Sequence, residues 1–357
     1  MRYFSLGPVA MFPSTLEVAG LQVPYFRTPE FSDIMLETDS MFKKCLGTCD
    51  DTKIMYLTAS GTAAMEATLF NCFDGRDKLL VIDGGIFGHR FVQICEKFDI
   101  PFEALQLSFG EVLTVEKLES FTQDKNYTAL VVNIHETSTG QLYDGGMLSN
   151  FCRTKGIYFV VDAISSFLAD PYDMDSWGID ATILSSQKGL ALGPGMSFVA
   201  LSKRLFEERV MQISPPSLYF DFKEYALDFE RGQTPYTPAV RVALELNDML
   251  KQLLFEGMDA RLTHVRTVAS DFRMKLKDVD GVGIPTFPLS NAATPILFDA
   301  LNASEIYTFL KEKRGICLTP CGGDLRNVMV RVAHIGNHTI EENNLLIEEL
   351  SLALEKA

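Results

Sequence analysis

Between residues 53 and 201, short apolar runs alternate with segments of helical period, and turn signals separate them. The runs predict strands over Lys53–Ser60, Lys78–Asp83, Phe102–Leu107, Thr128–Ile134, Ile157–Asp162, Ala181–Ser185 and Met196–Leu201. The segments between them predict helices over Ala63–Phe73, Phe87–Phe98, Val115–Phe121 and Gly146–Lys155. The strand runs are almost unbroken Val, Ile and Leu, with little alternation. That pattern belongs to strands covered on both faces, so the expected fold is α/β with a mostly parallel, seven-stranded sheet.

The rhythm changes after residue 202. Pro215-Pro216 and the stretch QTPYTP (233–238) mark irregular chain. Two long helical stretches follow, Ala239–Phe255 and Asp259–Leu276. The rest predicts a smaller α+β unit: a strand over Pro295–Phe298, a helix over Ala303–Lys313, strands over Ile316–Thr319 and Val328–His334, and a terminal helix over Ile340–Glu355. At 357 residues the chain is long enough for about two domains. The expected division is an N-terminal arm over 1–20, a large domain over 21–255 and a small C-terminal domain over 256–357.

Composition then narrows the partners. The 32 Lys+Arg against 47 Asp+Glu give a net charge of −15. A broad nucleic-acid surface needs clustered cations, and so does docking on an anionic membrane, so neither is expected. A small anionic ligand is compatible with this field, because a few local cations or a helix N-terminus can hold one. Pro8 and Pro13 interrupt any apolar signal core near the start, and the seven scattered cysteines read as reduced thiols, which points to the cytoplasm. The pairs Cys45/Cys49 and Cys317/Cys321 are too far apart in sequence for an ordinary zinc pattern, and no metal is expected.

In open α/β sheets ligands sit beyond the carboxyl ends of the strands, so the residues there carry the functional signal. The first strand runs into Thr58-Ala59-Ser60-Gly61-Thr62, a hydroxyl-rich lead into a helix, suited either to an anion or simply to capping. The second is followed by Gly84-Gly85-Ile86-Phe87-Gly88-His89, glycines with an aromatic, which a turn and a core ring would equally explain. After the fourth comes His135-Glu136-Thr137-Ser138-Thr139-Gly140, a polar run that is costly beside a buried strand unless it bonds something. Asp162 ends the fifth, and Gln187-Lys188 follow the sixth in a glycine-rich loop. A lysine is normally a solvated surface group, but a buried one with a depressed pKa can attack a carbonyl. A reactive lysine, an acid for a ring nitrogen, an anion cradle and an aromatic together are what pyridoxal phosphate requires.

GPVAMFP (7–13), FRTPEF (26–31), TASGTAAMEA (58–67), GGIFGHR (84–90), HETSTG (135–140), VDAISSF (161–167), SQKGLALGPG (186–195) and RVAHIGN (331–337) then stand in a familiar order. Over essentially its whole length the chain resembles the class V aminotransferases of fold type I, the group of the alanine/serine–glyoxylate and 2-aminoethylphosphonate–pyruvate enzymes. The resemblance implies pyridoxal 5'-phosphate as cofactor. It implies that Lys188 forms the Schiff base and shuttles a proton, and that Asp162 pairs with the pyridine nitrogen. Phe87 would stack on the ring, where many relatives have Trp, with Ile164 on the other face. Thr137 would bond the phenolic oxygen, and Ser60, Gly61, Thr62 and Gln187 would hold the phosphate. Thr237 would reach the neighbouring subunit's phosphate, which implies a homodimer with shared sites. Arg331 would bind the substrate carboxylate, with Gly7 of the N-terminal arm beside the substrate. Taken as a residue alone, Arg331 in VMVRVAHI could equally be a solvated edge position, and Arg27 could merely anchor the arm.

The activity implied is transfer of an amino group from an alanine- or serine-like donor to pyruvate or glyoxylate. SGTAAMEA and HETSTG also look like the corresponding blocks of the aminoethylphosphonate enzymes, which makes a phosphonate amine the alternative donor. A lyase of the cysteine-desulfurase type is the third reading. It would need a cysteine on a mobile loop, whereas Cys317 and Cys321 sit in CLTPCGG, a strand and a turn.

Overall fold

The computed structural model describes residues 1–299 and 302–356. Its main sheet has seven strands: β1 (Lys53–Leu57), β2 (Leu79–Asp83), β3 (Phe102–Gln106), β4 (Ala129–Asn133), β5 (Tyr158–Asp162), β6 (Ala181–Ser185) and β7 (Ser197–Leu201). Their spatial order is β1-β7-β6-β5-β4-β2-β3. The pairs from β6 through β3 are parallel, and β7 runs antiparallel to both β1 and β6. Because β7 is reversed between them, β1 points the same way as β6. Six strands therefore deliver their carboxyl ends to one edge.

The continuous apolar runs are explained by burial on both faces. Ile82, Val132, Val161 and Leu184 enter one core, whereas Val81, Val131, Val160 and Ile183 enter the other. Successive side chains of a strand point to opposite faces, so a strand with a core on each side has little room for a polar residue until it ends, and the one inside β6, Thr182, is hydrogen-bonded to the Tyr172 hydroxyl. The polar residues Asp83, Asn133, Asp162 and Ser185 are those ends.

A second sheet of four antiparallel strands lies in the C-terminal part: β8 (Val282–Gly283), β9 (Ala293–Phe298), β10 (Thr319–Pro320) and β11 (Met329–Ala333), in the order β8-β9-β11-β10. Helices Met258–Leu276, Ala303–Arg314 and Ile340–Lys356 pack on it around Phe272, Ile296, Leu310, Val330 and Leu346. The expected single strand over 316–319 is divided. Ile316–Cys317 pairs in parallel with Arg2–Tyr3, and only Thr319–Pro320 joins the sheet. The chain's first residues are thus stitched to the C-terminal unit, with Phe4 inside its core.

Four further α-helices among the described residues have no counterpart in the pattern reading: Pro13–Ala19, Pro29–Leu46, Lys203–Glu208 and Phe222–Phe229. The second is long and well signalled. The Thr28 side chain accepts from Phe31 N, Pro29 occupies the first turn, and Gly47 closes the end at φ 64°.

Candidate functional site

Five of the strand ends converge on a cavity of about 160 Å³. Lys188 and Gln187 come from the loop after β6, Asp162 and Ile164 from the end of β5, and Thr137 from the segment after β4. Phe87 comes from the helix after β2, and Ser60, Gly61 and Thr62 from the start of the helix after β1. These nine positions are the ones assigned to the cofactor from the sequence, Thr237 excepted.

The Lys188 amine is deeply buried and donates to the Leu6 carbonyl at 2.6 Å. Burial pushes it down to about 8. Arg331 acts in the same direction, and Asp162 opposes. The arm passes so close that a Cβ on Gly7 would lie 2.6 Å from Lys188 Nζ, and φ there is +150°. Asp162 accepts from Ile164 N–H at 2.8 Å. Burial pushes its carboxyl up to about 7, and the neighbouring Glu136 adds to that. Desolvation thus brings an acid and a base, normally separated by most of the pH scale, to nearly the same pKa within one cavity.

The Ser60 hydroxyl accepts from Ala63 N–H at 3.4 Å and caps the Gly61–Cys72 helix, whose first N–H groups open on the cavity. Gln187 Oε1 accepts from the Ser185 hydroxyl at 2.6 Å, which turns its amide nitrogen toward other partners. Thr137 and Ser165 share a hydrogen bond of 2.6 Å, and Ser165 is 2.9 Å from His135 Nδ1. Burial lowers His135 to about 3, so its ring is neutral, and its Nε2 is buried without a partner among the described residues.

Arg331 is not a solvated edge residue. It lies on β11, flanked by β9 and β10, and is 8% exposed. It donates to the carbonyls of Thr137 (2.6 Å) and Pro320 (2.8 Å), which ties the C-terminal sheet to the segment after β4. It faces a neighbouring cleft of about 650 Å³, shared with Gly85, Arg90, Ser138 and Gly322. Thr237 is exposed and does not reach its own chain's cavity. Arg27 is spent locally on Gln233 Oε1 and on the carbonyls of Thr234 and Pro235.

Two residues of the site escaped the sequence reading. Arg90 lines both cavities, donates to Thr62 Oγ1 at 3.0 Å and stacks its guanidinium over the Phe87 ring at 5.1 Å. Its position one helical turn after Phe87 was the available signal. Ser165 bridges Thr137 and His135; three residues past Asp162, it could be read as a helix cap, but the chain there forms turns and no helix follows.

The sequence profile of the aminotransferase class-V family matches residues 25–337, and the chain belongs to that family. It is 29% identical to the soluble hydrogenase 42 kDa subunit of Anabaena cylindrica over 87% of this chain and 82% of that protein. It is 26% identical to the L-aspartate–glyoxylate aminotransferase of Paracoccus denitrificans, covering 88% of this chain and 81% of the relative. The crystal structure of alanine–glyoxylate aminotransferase from Nostoc sp. superposes with a TM-score of 0.92 at 24% identity, over 99% of this chain and 94% of that one, which establishes the shared fold. Class V aminotransferases use pyridoxal 5'-phosphate. The cavity suits that group: a buried amine, a buried carboxyl with an oxygen left for a ring nitrogen, a helix start for a phosphate, and the orphaned His135 Nε2 nearby. No helix among the described residues is long and apolar enough to cross a membrane.

Proposed function

We propose that this aminotransferase moves an amino group from a small alanine- or serine-like donor to pyruvate or glyoxylate, with Lys188 as its central base. The observation that carries the reading is a desolvated lysine, poised near neutrality, in one small cavity with Asp162 and the helix start at Ser60–Thr62. When bound, pyridoxal phosphate supplies the electron sink that lets the donor's Cα–H bond release its proton. Lys188 would anchor the cofactor and then, freed by the donor's amine, take the proton from Cα on Nζ and return it. Asp162 as carboxylate would keep the ring nitrogen protonated. Ser60, Gly61, Thr62 and Gln187 would hold the phosphate, Phe87 and Ile164 would flank the ring, and Thr137 would bond its phenolic oxygen.

Arg331, with Gly7 leaving room beside Lys188, would hold the substrate carboxylate as a two-pronged donor, a geometry that lysine cannot reproduce. Thr237, exposed on its own chain, would reach the phosphate of a neighbouring subunit, so the working unit would be a homodimer in the cytoplasm. Burial pushes the Cys321 thiol up, which disfavours the thiolate that a desulfurase needs. A second donor class is favoured by one feature. The cleft beside Arg331 is large and carries Arg90, which has no carboxylate partner among the described residues. An amine bearing a distal phosphonate or carboxylate would use it.

The test mixes purified holoenzyme with alanine, serine, aspartate or 2-aminoethylphosphonate and follows loss of the cofactor's visible band. Bleaching by alanine or serine is expected. Bleaching by the phosphonate alone moves the assignment to the second class, and no bleaching by any of the four rejects both.

A further inference from the structure

Glu136 is fully buried, and none of the chemistry above employs it. Its carboxylate accepts from five donors. These are the backbone N–H groups of Phe87 (3.4 Å), Gly88 (2.9 Å) and Ser138 (3.0 Å), the Ser138 hydroxyl, and Asn133 Nδ2 (2.8 Å). Every partner is a donor, and only an ionised carboxylate meets five donors with no hydrogen of its own. Ser138 Oγ accepts in turn from Ile86 N–H at 3.0 Å. The helix Ile86–Lys97 begins after Gly85, which has no side chain to cap it. Its first three N–H groups are closed by Glu136 and Ser138 instead, from a segment about fifty residues away in sequence.

Phe87 is the second residue of that helix. Thr137, held between Glu136 and Ser138, presents the carbonyl that accepts Arg331 Nη1 at 2.6 Å. One carboxylate therefore fixes both ends of a rigid unit. We infer that Glu136 is a positioning residue that sets the aromatic wall of the cofactor cavity and the seat of the substrate arginine together. The inference rests on the reading of Phe87 and Arg331 given above.

The test is Glu136→Gln in the holoenzyme, followed by the rate of cofactor release, the circular dichroism induced in the cofactor band, and KM for pyruvate or whichever oxo acid the wild type accepts. A carboxamide of the same shape keeps one acceptor and turns an N–H₂ group against donors. The release rate and KM are therefore both expected to rise about tenfold, with the induced dichroism weakened. Arg331→Lys is the comparison, expected to raise KM while leaving release unchanged. Glu136→Gln that lowers only the melting temperature, or moves release without KM, overturns the inference. If that variant does not fold, Ser138→Ala removes one bond of the unit and is expected to move both readouts in the same direction by a few-fold. No change in either overturns the inference equally. A wild-type protein without a cofactor band counts against the cofactor reading, not against this one.

Discussion

The two titratable residues at the centre of the cavity make opposite demands on pH. Attack on a carbonyl needs neutral Lys188, and its amine sits at about 8. The rate of cofactor capture by apoprotein is therefore expected to rise about tenfold per pH unit up to pH 8 and then level off. Stopped-flow mixing across pH 6 to 9.5 measures it, and a flat profile rejects Lys188 as the capturing amine. Lys188→Ala is expected to lose the visible band altogether. Asp162 has the reverse sign. Its folded carboxyl lies near 7, above the ordinary 3.8, so between those values the folded apoprotein holds a proton that the unfolded chain has lost. The Asp162 contribution to apoprotein stability should fall as pH rises from about 4 to 7 and stay level above, by a few kcal/mol for a shift of this size, while buried His135 contributes the opposite slope over the same range, so the Asp162 part is read as the difference between wild type and variant. Asp162→Asn removes that slope, so the apo variant should exceed the wild type in urea midpoint at pH 8 while binding cofactor worse. Equal midpoints at pH 8 would refute the buried, raised carboxyl.

At the scale of elements, the sites that matter are close approaches. Gly85 stands where a Cβ would meet Ser138 Oγ at 2.4 Å and Glu136 Cδ at 2.6 Å. Gly85→Ala is thus expected to push the two segments apart and to destabilise the fold by about 1–3 kcal/mol, read as a lower midpoint in chemical denaturation. An unchanged midpoint would mean that the segment after β4 yields freely. The strands were legible in sequence because burial on both faces keeps β2, β4, β5 and β6 almost wholly apolar before the last residue, Thr182 of β6 being accommodated by a hydrogen bond with Tyr172. The cavity-lining residues were legible for the same reason, since each follows such a run. Arg331 was picked out only through the family resemblance, because taken alone an alternating strand looks like an edge until β9 and β10 are placed on both sides of it. Glu136 was hidden more deeply, since its partners lie in a helix about fifty residues earlier. The helix Pro29–Leu46 is announced by Thr28 and Pro29 at its start and Gly47 at its end, signals that lie outside the strand-and-helix rhythm of residues 53–201.

For the whole molecule, a net charge of −15 surrounds ligands that are themselves anionic. Lys188, Arg331, Arg90 and the helix start at Ser60 reverse the field locally. The proposed remaining contribution comes from outside the chain, because Thr237 is exposed and does not line its own chain's cavity, with the apolar Leu218 and Tyr25 also exposed, at 82% and 69%. If Thr237 serves the neighbour's phosphate, two inactive variants should repair each other. Lys188→Ala abolishes the site of its own chain, whereas Thr237→Glu places a negative charge against the phosphate held by its partner. In a mixed dimer one site carries both defects and the other carries neither. Random reassortment makes half of the dimers mixed, with one intact site in two, so activity should recover to about a quarter of the wild type. Co-refolding equal amounts of the two variants and assaying transamination measures this. If Thr237 acted within its own chain, each site of the mixed dimer would keep one defect and no activity would return.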